Sequence, residues 1–235
     1  MTGLTKAVSF GAMIQRALIF GYTTQNIPIP AYHFGHSGPK ILILGGVHGD
    51  EVEGVQATHG LLGVFLKNFP YSFQITLVPC LNVDGLHLKQ RRNANGVDLN
   101  RNLPTADWSA QFTKANYFPG TSANSESENQ CLVDYIKTYQ PQFILSMHSW
   151  NPMLNTNGDC KRFAKAVSAH TGYIITDDIG YPTPGSLGTY AGVERNIPTL
   201  TYEIERGLDA NKIIANHIPA ILEGLKVYEP TAKNH

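Results

Sequence analysis

The sequence predicts an α/β fold, a mostly parallel sheet with helices on both faces. Two observations carry that expectation. Short apolar runs at 40–45, 73–78, 143–147 and 198–204 have the length and composition of buried strands. Between them lie segments with apolar residues at helical spacing, and the two kinds of segment alternate, as parallel strands with crossover helices require.

Taken in order, 16–22 and 27–34 flank a Thr-Thr-Gln-Asn turn and read as an opening hairpin. Pro28 and Pro30 mark its second strand as an edge, since proline donates nothing to a ladder. The strand at 40–45 leads through a glycine-rich turn into a helix from about 51 to 68, with Val52, Val55, Leu62 and Phe65 on one side and Pro70 as its stop. The strand at 73–78 ends at Pro79, and 80–125 is mostly irregular, a length that is unusual unless the loop carries function. Ser125 and Glu128 have capping-box spacing and would open a helix through Leu132, Ile136 and Tyr139. The strand at 143–147 delivers His148 at its carboxyl end. A helix near 160–171, a short strand at 173–176, a glycine-rich loop, the strand at 198–204 and a final helix over about 209–227, kinked at Pro219, complete the chain.

With 235 residues, 42% of them hydrophobic, and no repeat, linker or low-complexity stretch, the expectation is a single domain over 1–235. Eighteen basic residues balance eighteen acidic ones without charged blocks, which argues against nucleic acid or a membrane surface as partner. Cys80, Cys131 and Cys160 form no C-x-x-C pair and read as free thiols of a reducing compartment. Lys6 with the apolar stretch 7–14 faintly resembles an export signal. Ser9 and Gly11 interrupt that stretch and no A-x-A site follows, so a cytoplasmic location is expected. No apolar run approaches the roughly 18 residues of a membrane span.

The chemistry starts at Gly45-Gly46-Val47-His48-Gly49-Asp50-Glu51. His48 and Glu51 sit three apart where a strand turns into a helix, so an imidazole and a carboxylate can converge. Open α/β sheets place their sites beyond the carboxyl ends of the strands, where His148 also falls. Two histidines and a glutamate suit a catalytic zinc with an open fourth position. Singly, His48 and Glu51 could be a turn with a capping acid, and His148 a core histidine.

A second segment holds Asn82-Val83-Asp84-Gly85 and then Arg91-Arg92-Asn93-Ala94-Asn95-Gly96-Val97-Asp98-Leu99-Asn100-Arg101-Asn102. H-x-x-E, N-x-D-G, R-x-N-x-x-G-V-D-L-N-R-N, a strand ending in S-x-H-S and a late T-x-E run in this order across about 41–206. Together they resemble the zinc carboxypeptidases of the M14 type. Within that family the compact arginine–asparagine loop and the G-Y-P-T-P-G-S-L-G run at 180–188 are similar to the branch that hydrolyses murein peptides.

The resemblance implies a zinc-carboxypeptidase-like fold with a mixed, mostly parallel twisted sheet, and one zinc ion held by His48, Glu51 and His148. Such an ion lowers the pKa of its water to around 7. The resemblance makes Glu203 the general base, with Glu205 the rival on the same strand face. Arg91 matches the residue that stabilises the oxyanion, with the adjacent Arg92 as alternative. Asn100 and Arg101 match the clamp for the substrate's terminal carboxylate, which a guanidinium fork can bind through two parallel bonds. Tyr181 matches a tyrosine that closes over the terminal residue, and Leu187 with Ser186 falls where the side-chain pocket is shaped. Asp98 would orient His48 through its second ring nitrogen. The remaining histidines are expected to be structural or on the surface. Val83 stands where the family has proline and Leu103 where it has phenylalanine, neither at an assigned role.

The implied partner is a small peptide with a free terminal carboxylate, murein tripeptide, cut at its γ-D-glutamyl–meso-diaminopimelate bond in cell-wall recycling. The residues by themselves indicate only a peptide-like amide beside a carboxylate. A general carboxypeptidase and an N-acyl amino acid deacylase of the aspartoacylase or succinylglutamate desuccinylase kind are the alternatives. A non-catalytic peptide-binding module would not need the full zinc and base set. Neither G-x-x-x-x-G-K-[ST] nor G-x-G-x-x-G is present, which argues against a phosphate cradle.

Overall fold

The computed structural model describes residues 16–229; the stretch weighed as an export signal lies outside them. Eight strands form one mixed sheet in the order β1-β2-β4-β3-β5-β8-β6-β7. They are β1 Arg16–Tyr22, β2 Pro28–Phe34, β3 Lys40–Gly45, β4 Gln74–Val78, β5 Phe143–Trp150, β6 Met153–Asn157, β7 Ile174–Thr176 and β8 Thr199–Glu205. The centre, β4-β3-β5-β8, is parallel, while β1, β2 and β6 join antiparallel.

The central strands are apolar without alternation because both faces are covered. Along β3, Ile41 and Ile43 enter one core and Leu42 and Leu44 the other. Helices α1 (Val52–Lys67), α4 (Lys161–Thr171) and the C-terminal α6 (Ile218–Leu225) bury Leu61, Phe65, Phe163, Val167 and Ile221 in the first. Helix α3 (Ser127–Tyr139) buries Leu132, Val133 and Ile136 in the second. Burying each such side chain contributes about 1.5–3 kcal/mol relative to exposure. No helix among the described residues is long and apolar enough to cross a membrane.

Two local expectations are corrected, and two elements join those expected. First, β2 is not an edge: it lies between β1 and β4. Strand β4 pairs only with Tyr32–Phe34, however, so beside Pro28 and Pro30 the strand has a neighbour on one side, and their missing N–H groups are tolerated. Second, the capping box at Ser125 does not form. Glu128 instead accepts from the Thr24 N–H and the Asn93 side-chain amide, and Ser125 Oγ bonds Glu126 and Asn102, so distant polar partners replace the local cap. Third, the segment between Cys80 and Ser125 contains a short helix α2, Val83–Leu88, capped by Asn82, which accepts from the Gly85 N–H. Fourth, β6 was not expected at all.

The C-terminal helix does not simply kink. Short α5, Ala210–Lys212, widens into a π turn over Ile213–His217 before α6 begins. Pro219 lies in the first turn of α6, where a missing N–H costs little, and the wider turn relieves its ring's clash with the preceding carbonyls. His217, in that π turn, is buried with Nδ1 2.6 Å from Tyr202 Oη. Burial raises the Tyr202 hydroxyl pKa, so the phenol keeps its proton and shares this bond with the imidazole. Burial also lowers the His217 pKa from 6.5. The unfolded chain therefore binds this proton first. The contribution to stability is complete above 6.5 and is lost as pH falls toward the folded value. The melting temperature is expected to fall on acidification below 6.5, less steeply in His217→Gln, which offers a hydrogen-bonding group without titrating.

Candidate active site

Strands β3, β5 and β8 are parallel neighbours whose carboxyl ends are in register: Gly45 lies opposite Met147, and His148 opposite Glu203. The turn after β3 is fixed by the Leu81 and Asn82 N–H groups on the carbonyls of Gly45 and Gly46, and by the Gly49 N–H on the Arg91 carbonyl. Helix α1 then starts hard against β5. A Cβ on Gly54 would collide with the Met147 carbonyl, beside His148, so only glycine lets the helix approach.

Glu51 occupies the N-cap of α1 but makes no cap bond with its side chain. Its carboxylate instead joins two imidazoles: His48 Nδ1 lies 2.8 Å from Oε1, and His148 Nδ1 lies 2.8 Å from Oε2. The two Nδ1 atoms are 3.2 Å apart. Each ring's outer nitrogen is held separately, His48 Nε2 by Asp98 Oδ1 at 3.1 Å and His148 Nε2 by Ser146 Oγ at 3.0 Å. One ligand atom from each of the three residues lies within 4.8 Å of the others, and all three residues are buried. Two inward nitrogens and a carboxylate oxygen, with outer nitrogens already anchored, are a donor set that fits zinc with one position left open.

The electrostatics agree with that geometry. Burial would raise the Glu51 carboxyl, but the two imidazoles hold it well below the carboxylate range. Asp98 is buried too, yet His48 and Arg91 keep its carboxyl low. Arg91 donates from Nε to Asp98 at 3.0 Å and from Nη1 to Glu51 at 3.2 Å. Arg92 is turned away, onto the carbonyls of Gly96 and Ala115.

Beside the triad opens a cavity of about 560 Å³, lined by Glu203, Arg91, Asn100, Arg101, Tyr181 and Ser186 among others. Glu203 is buried, and its Oε2 has no hydrogen-bond partner among the described residues. Burial, reinforced by Glu51, pushes its carboxyl up to about 7 against the pull of His148 and Arg91. Glu205 is exposed at the end of β8. Asn100 accepts the Leu187 N–H at 2.8 Å through Oδ1, which leaves its amide N–H groups to donate. The Arg101 guanidinium lies 5.3 Å from the Tyr117 ring and 6.0 Å from the Tyr181 ring.

Leu187 departs from expectation. Its side chain is buried in the second core with Leu99 and Tyr190 and does not line the cavity; only its N–H serves the site. The wall near Ser186 is instead completed by Thr189, Gly188 and Thr201, with Asn155 and Asn157 from β6. Sequence reasoning missed these asparagines, although Asn155 and Asn157 are two apart around Thr156, the period that puts them on one strand face. It also missed Tyr117 and Arg206, which line the cavity from outside the recognised strings, and Asp50, an unassigned position within the first of them.

The family model for zinc carboxypeptidases matches residues 14–172. The chain is similar to murein peptide amidase A of Vibrio campbellii, 30% identical over 199 residues, covering 79% of this chain and 77% of that protein. To the Escherichia coli K12 protein of the same name it is 32% identical over 174 residues, 69% of each chain. Among solved structures it resembles a murein-tripeptide amidase of Escherichia coli O157 with a TM-score of 0.72 at 26% identity, over 94% of this chain and 95% of that one.

Proposed function

The chain belongs to the zinc carboxypeptidase family, and from that premise we propose that it hydrolyses the γ-D-glutamyl–meso-diaminopimelate bond of murein tripeptide with one zinc ion. We place this reaction in the cytoplasmic recycling of cell-wall peptides, with 1–235 acting as one catalytic domain. One observation carries the reading. The zinc-fitting triad, the partnerless Glu203 carboxylate and the Arg91 guanidinium meet at a cavity that also holds Asn100 and Arg101. That is amide-cleaving equipment beside a carboxylate clamp. The named relatives, matched over most of their length, supply the murein peptide as the substrate.

In this reading Arg101, braced by Tyr117 and Tyr181, and the free amide of Asn100 take the substrate's terminal carboxylate. Tyr181 covers the terminal residue, and Ser186 with the β6 asparagines lines its side-chain pocket. Arg91, fixed by Asp98 and Glu51, offers its remaining donors to the oxygen that becomes negative in the tetrahedral intermediate. Glu203, whose Oε2 has no hydrogen-bond partner among the described residues, takes the attacking water's proton and hands it to the leaving amine. His48, Glu51 and His148 would hold the zinc ion, which would supply Lewis acidity and lower the pKa of water toward neutrality.

Asp98 positions His48 through Nε2. Asp98→Asn is therefore expected to weaken zinc binding about 10- to 100-fold, measured by competition with a chelator of known affinity. The reading itself is tested by supplying the zinc-loaded protein with murein tripeptide, ordinary peptides and N-acyl amino acids. Preferred release of diaminopimelate supports it. Preferred removal of ordinary C-terminal residues, or of acyl groups, replaces it with a carboxypeptidase or deacylase on the same site.

A further inference from the structure

Arg206 and Lys114 are the cavity cations that the proposed reaction leaves without a task, and Arg206 is the one beside Glu203. It follows β8, three residues beyond Glu203, and its backbone N–H is tied to the Trp150 carbonyl at the end of β5. Its side chain lines the cavity and is 44% exposed. Nη2 donates to Asp50 Oδ2 at 2.8 Å and Nη1 to the Ser149 carbonyl at 3.3 Å, and Nη1 lies 4.0 Å from Glu51 Oε1. Two of five donors are thus hydrogen-bonded, which holds the fork in place and leaves three without a hydrogen bond.

Its position along β8 says which part of a substrate it meets. Thr201, opposite Asn155, belongs to the wall assigned to the leaving residue's side chain, and Glu203 comes next. Arg206 lies past Glu203, on the far side from Thr201. A substrate with its leaving residue toward Thr201 must extend its acyl half toward Arg206. The main chain of an α-linked peptide presents no anion there. A glutamyl residue linked through its γ-carbonyl keeps a free α-carboxylate on that half, three carbons from the scissile carbonyl.

Building on the reaction proposed above, we propose that Arg206 is a specificity residue that binds the free carboxylate on the acyl side of the scissile amide. The enzyme thereby prefers acyl residues that are acids linked through their side chain. A guanidinium can take such a carboxylate through paired N–H groups, which lysine cannot match.

The test compares kcat/KM for L-Ala-γ-D-Glu-meso-diaminopimelate and for the same tripeptide with the glutamyl α-carboxylate amidated, in wild type, Arg206→Met and Arg206→Lys. The wild type is expected to favour the free carboxylate by roughly 10- to 100-fold, the ratio a charge-assisted bond supports. That ratio should collapse toward one in Arg206→Met and recover in part in Arg206→Lys. A wild-type ratio near one overturns the inference with no variant needed. So does a ratio that survives in Arg206→Met, or a pH–rate profile displaced equally for both substrates, which would mean that Arg206 acts on Glu203. Failure of the wild type to cleave either tripeptide, with other substrates turned over, refutes the proposed reaction itself.

Discussion

Glu203→Gln is expected to lower kcat by about 10²- to 10⁴-fold, the usual worth of positioned proton transfer, while leaving zinc content unchanged. Glutamine keeps the shape of the side chain and removes its capacity to accept a proton. Because Oε2 makes no hydrogen bond to the described residues, no structural bond is lost with it. The folded state already disfavours the charged carboxylate, raising its pKa to about 7. In metal-free protein the folded chain thus holds this proton when the unfolded chain has released it, and stability declines as pH rises from 4.5 toward 7. Metal-free Glu203→Gln should lack that decline and melt above metal-free wild type in alkaline buffer. A variant that loses zinc along with activity would place Glu203 among the ligands.

His148→Ala is expected to behave in the opposite way, losing zinc and activity together. His148 contributes one of the two inward nitrogens, and without it Glu51 and His48 remain as a two-ligand remnant. Zinc content measured after dialysis should drop from one per chain to near zero, and hydrolysis should fall to the blank rate. Added zinc should not restore it at concentrations that saturate wild type. The two variants separate the roles by what each leaves intact, since Glu203→Gln keeps the metal and His148→Ala does not.

The sequence disclosed the centre of the molecule well because the physics there is local. Strands β3, β4, β5 and β8 are buried on both faces, so their apolar runs need no tertiary context to be recognised. His48, Glu51 and His148 stood out because turns at strand ends present their side chains, and the structure brings the three together. What stayed hidden depended on distant partners. Strand β6, with Asn155 and Asn157 facing a polar cavity, lacks the apolar signature of a strand. Glu128 had the right spacing for a cap, but Asn93 and Thr24 claimed its carboxylate from far along the chain. Pro28 and Pro30 implied an edge, and the sheet supplied one only locally, by ending β4 early. Leu187 matched a pocket position, but its side chain turned into the core while its N–H stayed at the site. Arg206 carried no motif, and only the fold brings it, just past the end of β8, to the wall of the cavity that holds Glu203.

The account rests on one zinc ion, held by His48, Glu51 and His148, enabling hydrolysis of an amide beside a bound carboxylate. The direct measurement is a titration of zinc into chelator-stripped protein while diaminopimelate release from murein tripeptide is followed. The account predicts no release from stripped protein and a linear rise that levels off at one zinc per chain. Full activity in the stripped protein, or a rate indifferent to added zinc, would contradict it.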